Sequence, residues 1–215
     1  MKKFLKIILL ILVVLMIIFL IHTVRNYIII TNLQRDLYKY SGSTNYSSKQ
    51  TMKDEERSQN VITQYYRKGD DYAIFIENNT KNETIKLSMY KEGKIVSAFT
   101  ETAYNKTVEL SEDGFIHTQI YNYLETDNIW QTILGSIVAK VKKDEYDGKD
   151  VYVIKNFTSP YTLLSKDAEV YVEKDTGILV QIIEDSTVTK YEYIFDNVDD
   201  TKFIKPNLSE YKLNS

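Results

Sequence analysis

"NVITQYYRKGDDYAIFIEN", from Asn60 to Asn78, is where the apolar period of this 215-residue chain becomes two. Two arms rich in Val, Ile, Tyr and Phe flank Gly69-Asp70, which reads as a β-hairpin. Downstream, "TIKLSMY" (84–90) and "IVSAFT" (95–100) repeat the design around Gly93. "YNKTVEL" (104–110) adds a strand before the turn "SEDGF" (111–115). "KVKKDEY" and "DVYVIKNF" flank Asp147-Gly148, the strongest short hairpin signal. "AEVYVEK" and "ILVQIIED" flank Asp175-Thr176-Gly177, and "TVTKYEYIF" (187–195) is the last long strand. Residues 197–213 close the chain with a short helical turn and an extended tail. The pattern gives about nine strands, nearly all in antiparallel hairpins.

Several of these strands are apolar on both faces. Tyr72, Ile74 and Ile76 oppose Ala73 and Phe75, and Ile178, Val180 and Ile182 oppose Leu179 and Ile183. A sheet wet on one side would alternate cleanly, so two covers are needed. One is an amphipathic helix that Asp127 can cap. Its Trp130, Ile133, Leu134, Ile137, Val138 and Val141 share one face, expected to pack on the sheet, with Gln131, Thr132, Gly135 and Ser136 opposite. The other cover is a second helix, a subunit or an apolar ligand, unless the core is simply thick and filled.

Upstream, Ile7–Ile21 is an unbroken run of fifteen apolar residues. With Phe4, Leu5 and Val24 the span reaches the ~20 residues that cross a bilayer core. No Ala-x-Ala-like pair follows it: the first Gly is Gly42 and the first Ala is Ala73. It therefore reads as an uncleaved signal-anchor and not a removable signal peptide. Lys2, Lys3 and Lys6 precede the span while Arg25, Arg35 and Lys39 follow it, a weak bias. The reading is N-terminus cytoplasmic, single-pass in the cell membrane, and C-terminal domain outside. His22 reads as an interfacial residue at the helix exit. Ile30, Leu33, Leu37 and Tyr40 keep helical spacing, so the helix continues or restarts at a Thr31-Asn32 cap. Asn45–Ser58 is polar, a linker or an exposed edge strand. The expected organisation is an anchor over 1–26, a helical and polar connector over 27–59, and a β-rich extracytoplasmic domain over 60–213.

Composition narrows the function. Net charge is −3 with both signs interspersed, so nothing argues for nucleic acid. There is no Cys, which removes disulfides, thiolate sites and a lipid-modified cysteine. His117 is the only other histidine, leaving little material for a His-based metal site or triad. Asp70-Asp71, Glu184-Asp185 and Asp199-Asp200 fall at turns or caps, where acids are routine. No phosphate loop or catalytic motif is present. The chain reads as a non-enzyme without a cofactor. Six Asn-x-Ser/Thr sequons, at Asn45, Asn78, Asn82, Asn105, Asn156 and Asn207, read as coincidence in a low-GC bacterial composition.

"VYVEKDTGILVQIIE", "TKYEYIF" and "DDTKFIKPNLSEYKL" resemble the end of the lipoprotein-sorting carrier superfamily (LolA-like and LppX-like), as a membrane-anchored member. The shared features are a strand-turn-strand around Asp-x-Gly, a further strand and a closing Phe-x-x-Pro segment. The likeness covers about Leu33 to Leu213. It implies an α+β fold: an N-terminal transmembrane helix, then an antiparallel, half-open β-barrel of about nine strands wrapped against one or two helices. It also implies an apolar interior for acyl chains or a lipid-linked partner. A tethered chain cannot shuttle, so it would hand over locally, sense, or bind an envelope protein. The residues expected to line the apolar site are Phe75, Phe99, Trp130, Ile133, Leu134, Tyr193 and Phe195, each contributing about 25 cal/mol per Å² of apolar area removed from water. The alternative is an envelope sensor or protein-interaction module with a filled core.

Overall fold

The computed structural model describes residues 2–112, 120, 123–126, 128–157 and 167–213. The chain opens with helix α1 (Lys2–Ser41), followed by β1 (Asn45–Asp54), β2 (Gln59–Lys68), β3 (Asp71–Asn79), β4 (Thr84–Glu92), β5 (Ile95–Glu101) and β6 (Lys106–Glu112). Helix α2 (Ile129–Val138) comes next. Then follow β7 (Lys140–Tyr146), β8 (Lys149–Lys155), β9 (Glu169–Glu173), β10 (Leu179–Glu184), β11 (Thr187–Phe195) and β12 (Lys212–Leu213). The chain divides into two compact units: Met1–Lys39 with Asn122–Leu179, and Tyr40–Tyr121 with Val180–Ser215.

The first unit holds α1, α2 and β7–β9. α1 runs forty residues without a restart at Thr31-Asn32, about 60 Å at 1.5 Å per residue. No Gly or Pro interrupts it, and Gly42 follows its last residue. Every side chain from Phe4 to Ile21 is exposed. From Asn26 on, the helix changes character: Asn26, Ile30, Leu33 and Leu37 are buried at spacings of four, three and four, one side of a helix. The turn from β9 to β10 abuts this stripe. Gly177 has φ +69°, and a Cβ there would collide with the Leu33 carbonyl oxygen, so glycine is required twice over. β7 and β8 form the expected hairpin, with Asp147 (φ 49°) and Gly148 (φ 75°) both left-handed, as a type I′ turn demands.

α2 forms where expected, but the other way round. Asn128 caps it, its Oδ1 accepting from the Trp130 and Gln131 amides at 3.1 Å each; Asp127, the expected cap, lies outside the described residues. The buried residues are Thr132, Gly135 and Ser136. Of the apolar face expected to pack on the sheet, Trp130 (70% exposed), Leu134 (63%) and Val138 point outward, Ile133 and Ile137 are half-buried, and Val141 is buried on β7. The reason is close approach. A Cβ on Gly135 would sit 2.5 Å from the Phe157 ring, so only a small-residue face fits there. The polar groups on that face are satisfied internally: Ser136 Oγ donates to the Thr132 carbonyl (2.6 Å), and the Thr126 and Thr132 hydroxyls share a bond of 2.7 Å.

The second unit carries strands in the order β12-β6-β5-β4-β3-β2-β1-β11-β10. All described pairings there are antiparallel except β12 with β6. β1 is an interior strand, paired along its length with β2 (Asn45↔Lys68 to Asp54↔Gln59) and with β11 (Tyr46↔Phe195 to Asp54↔Thr187). It is neither linker nor edge, because polar side chains do not stop the backbone from needing two ladders. Among the described residues the strands number twelve against about nine expected, with β1 and β12 additional to the strand arms read from the sequence. Among the described residues β12 pairs only with β6 and β7 only with β8. The architecture is thus α+β with an apolar N-terminal helix and open, mostly antiparallel strands, not a closed barrel.

Candidate apolar binding surfaces

Strand register in the second unit builds an aromatic face. Tyr66, Ala73, Tyr90 and Ser97 stand opposite one another across β2–β5. The neighbouring row on the same face is Phe75, Ser88, Phe99 and Val108, across β3–β6. Large and small side chains therefore alternate in both directions. The rings of Tyr66, Phe75, Tyr90, Phe99 and Tyr211 meet edge to face, with centroids 5.8, 5.7, 5.7 and 5.0 Å apart and interplanar angles of 75–89°. Such contacts are worth about 0.5–1.5 kcal/mol each beyond the area buried. Ala73, Tyr90, Phe99 and Val108 are buried at the centre, with Tyr66, Phe75, Phe203 and Tyr211 packed around them.

The cover over this face is the chain's own C-terminal segment. A 3₁₀ turn, Asp200–Phe203, is capped by Asp199 and lays Phe203 on the cluster. A second turn, Leu208–Glu210, is capped by Asn207 and leads to Tyr211. Polar contacts fasten its rim. Lys68 pairs with Asp200, Lys205 with Glu92 at 3.0 Å, and the Lys202 ammonium lies 5.6 Å from the Tyr66 ring centre. The Tyr211 hydroxyl donates to Glu101, and Lys106 lies over the Tyr211 ring. That hydroxyl bond, then Lys106, holds the Glu101 carboxyl below its ordinary range. Burial, then the Glu101 carboxylate, pushes Tyr211 up to about 12. Burial likewise raises Tyr90. Beside the tail is a cavity of about 350 Å³ lined by Asp71, Tyr72, Tyr90, Lys91, Glu92, Phe203 and Lys205.

The seven expected site residues fall into three groups. Phe75 and Phe99 stand together on the aromatic face, on either side of Tyr90. Tyr193 and Phe195, on β11, share the opposite face of the ladder, stacked at 6.4 Å, where Phe195 also meets Tyr40 (4.8 Å) and Tyr46 (6.1 Å). Trp130, Ile133 and Leu134 belong to α2 in the other unit, Trp130 and Leu134 exposed and Ile133 half-buried. Phe203 and Tyr211 were not anticipated; the signal for them is an aromatic at each end of the closing Phe-x-x-Pro segment. His117 lies outside the described residues. His22 Nε2 lies 3.1 Å from Asn26 Nδ2. Among the described residues no three His, Asp or Glu converge as a metal site would require.

Comparison with known proteins adds structural neighbours only. No family model matches the chain, and no curated protein matches it. Among solved structures, an uncharacterized conserved protein from Thermus thermophilus is 8% identical, with TM-score 0.49 over 86% of this chain and 97% of its own. The MucA/MucB complex of Pseudomonas aeruginosa gives 6% identity and TM-score 0.37 over 82% of this chain and 61% of the neighbour's. A LolA superfamily protein from Nitrosomonas europaea gives 10% identity and TM-score 0.22 over 80% and 97%. The neighbours thus include the superfamily that the C-terminal segment resembles. Every one of these TM-scores is below 0.5, so the strand ladders, and not these likenesses, carry the reading of the fold.

Proposed function

We propose that the chain is a membrane-anchored extracytoplasmic binding domain that takes an apolar ligand or lipid-linked partner. It crosses the cell membrane once through residues 4–24, with its N-terminus cytoplasmic. The observation that carries this reading is α1. From Phe4 to Ile21 its surface is exposed and, Lys6 apart, apolar, and its second half buries Asn26, Ile30, Leu33 and Leu37, all in one unbroken helix. Leaving about fifteen large apolar side chains in water forgoes roughly 1.5–3 kcal/mol apiece, which a bilayer core restores. A cleaved leader would have no reason to continue as a core helix of the folded part.

The apolar site we assign is the aromatic face that includes Phe75 and Phe99. Its cover is two 3₁₀ turns and the two-residue strand β12, joined to the strands by rim ion pairs that are weak at a wet surface. An acyl chain that displaces Phe203 and Tyr211 gains the ring faces they leave. Binding is by desolvation, and no catalytic group is assigned. The test is native mass spectrometry of the full chain released from detergent, with Phe75→Ser beside the wild type. Bound acyl species on the wild type, lost in Phe75→Ser, support the reading. A photoactivatable fatty acid that labels α1 alone, with no bound lipid on the wild type, overturns the ligand assignment.

One observation favours a second reading, an envelope sensor or interaction module with a filled core. The ring contacts run without a gap from Tyr66 to Tyr211, so the tail already occupies the face. A single stoichiometric protein partner and no lipid would then be recovered with the full chain.

A further inference from the structure

Two cations of the first unit stand at one level with no acid to answer them. The residues on either side of Lys140 are both pinned to α1. Asn26 Nδ2 donates to the Ala139 carbonyl (2.7 Å), and Arg25 Nη2 donates to the Val141 carbonyl (3.4 Å). Lys140 is therefore held at the height of Arg25 and Asn26, and the side chains of Lys140 and Arg25 are both exposed. The Val141 carbonyl engages one of the five guanidinium N–H groups, so most of the fork is open. Across the β7–β8 ladder Lys140 stands directly opposite Lys155, a like-charge pair that destabilises strands unless anions answer it. Lys155 has its anion in Glu169 on β9, and Lys142 has Asp144 at 3.0 Å. Among the described residues neither Arg25 nor Lys140 has an ion-pair partner.

In the anchored reading that level is the outer edge of the hydrocarbon core. Lys6 marks the inner edge, and the ~20 residues that span ~30 Å end at Arg25 and Asn26. The β7–β9 ladder rises away from this edge. Its far end, through the turn at Gly177, meets α1 at Leu33 and Leu37, about 12–18 Å further along the helix. Lys140 is thus the membrane-proximal tip of β7, while Asp144 and Glu145 lie further out. A groove of about 660 Å³ runs along α1 from Ile17 to Ile29, its lining apolar except for Arg25. Ile17, Leu20, Ile21 and Val24 lie on the hydrocarbon side of that guanidinium. A cationic rim over an apolar groove is complementary to an amphiphile with a phosphate head. Guanidinium and ammonium both bind phosphate, the guanidinium in bidentate fashion. Two unanswered positive charges favour a net negative headgroup over a zwitterionic one.

We propose that Arg25, Lys140 and the α1 groove form a site for one anionic phospholipid of the outer leaflet. Its phosphate lies between the guanidinium and the ammonium, and an acyl chain runs along Ile17, Leu20, Ile21 and Val24. The site rests on the anchored reading of α1 and holds a lipid distinct from the ligand of the aromatic face. The phosphate supplies the negative charge that Lys140 lacks, so the lipid joins the span to the near end of β7.

The full chain is placed in nanodiscs of phosphatidylcholine with a minor share of phosphatidylglycerol and released for native mass spectrometry. The wild type should leave with one phosphatidylglycerol, enriched over its share of the bilayer. Arg25→Gln and Lys140→Gln should each cut that enrichment about fivefold, the worth of one basic side chain at an anionic surface. Arg25→Lys should keep part of what Arg25→Gln loses. Lys81→Gln, the same charge change at an exposed turn of the second unit, should leave the enrichment as it is. Enrichment that survives in both Gln variants, or that falls as far in Lys81→Gln, overturns the site. If Phe75→Ser then removes the surviving lipid, that lipid belongs to the aromatic face. Vesicle flotation of the same chains separates this site from the anchor. Chains that float but show no enrichment overturn the lipid site alone. A wild type that stays in the aqueous fraction overturns the anchor and the lipid site together.

Discussion

α2 and the aromatic face of the second unit handle the same kind of side chain in opposite ways. Around Tyr90 and Phe99 the rings turn inward and the chain spends its last residues covering them. On α2 the small and hydroxyl residues turn inward while Trp130 and Leu134 are left outside. A domain surrounded by water resolves most large apolar side chains in the first way. The second way makes sense beside α1, whose apolar half is equally uncovered. The difference teaches that in one unit the rings are buried by the chain's own tail, while in the other close backbone approach at Gly135 decides which side chains stay outside.

The sharpest way to break this contrast is Phe99→Ala, which removes a fully buried ring between Tyr90 and Tyr211. It should cost about 3–5 kcal/mol in denaturant unfolding of the full chain in detergent. A loss under 1 kcal/mol would mean the face is not a packed core. Next is Gly135→Ala, on the inner side of α2, where the new methyl meets the Phe157 ring. It should cost about 1–3 kcal/mol, read as a lower unfolding midpoint.

Tyr211→Phe should cost about 1 kcal/mol, one partly exposed hydrogen bond to a carboxylate. Its pH signature is more telling than its size. Glu101 has a depressed folded pKa, so its contribution is present above the ordinary carboxylate pKa and is lost as pH falls through the folded value. Tyr211 is raised from 10.0 to about 12, so its contribution is full below pH 10 and is lost as pH rises through about 12. Wild-type tail protection, followed by amide hydrogen exchange of residues 200–213, should therefore weaken at both extremes. Tyr211→Phe should flatten the alkaline arm wholly and the acid arm in part, since Lys106 still faces Glu101. The smallest effect is expected for Leu134→Ser, adjacent in sequence to Gly135 but on the outer side. In detergent it should change stability by no more than about 0.5 kcal/mol. A loss like that of Gly135→Ala would place the outer face of α2 in a protein core.

The hairpins were legible because their signals are local: Asp147-Gly148 and Gly177 sit at turns whose left-handed backbone the residues announce. β1 was not, because its side chains are polar and one of its two partners, β11, lies far along the chain. The periodicity of α2 located the helix, but Trp130, Leu134 and Val138 of its apolar stripe face outward, and Val141 belongs to β7. A stripe says which residues share a side, and close approach at Gly135 decides which side is inside. The aromatic alternation of β3 and β11 was equally plain. Which of their faces coincide depends on register through β2 and β1, and that placed Phe75 and Phe195 on opposite faces. The cover of Phe203 and Tyr211 comes from the far end of the chain, and no local pattern encodes where such a tail returns.

In the anchored reading α1 is a retained helix, membrane span in its first half and protein core in its second. The absence of cysteine allows it to be tested by single-cysteine labelling with a membrane-impermeant maleimide. On intact cells Asn82→Cys, in an exposed turn, should label at once, and Lys3→Cys only after lysis, both on a full-length chain in the membrane fraction. A mature membrane protein that has lost Lys3→Cys, or an Asn82→Cys protected until lysis, would contradict the account.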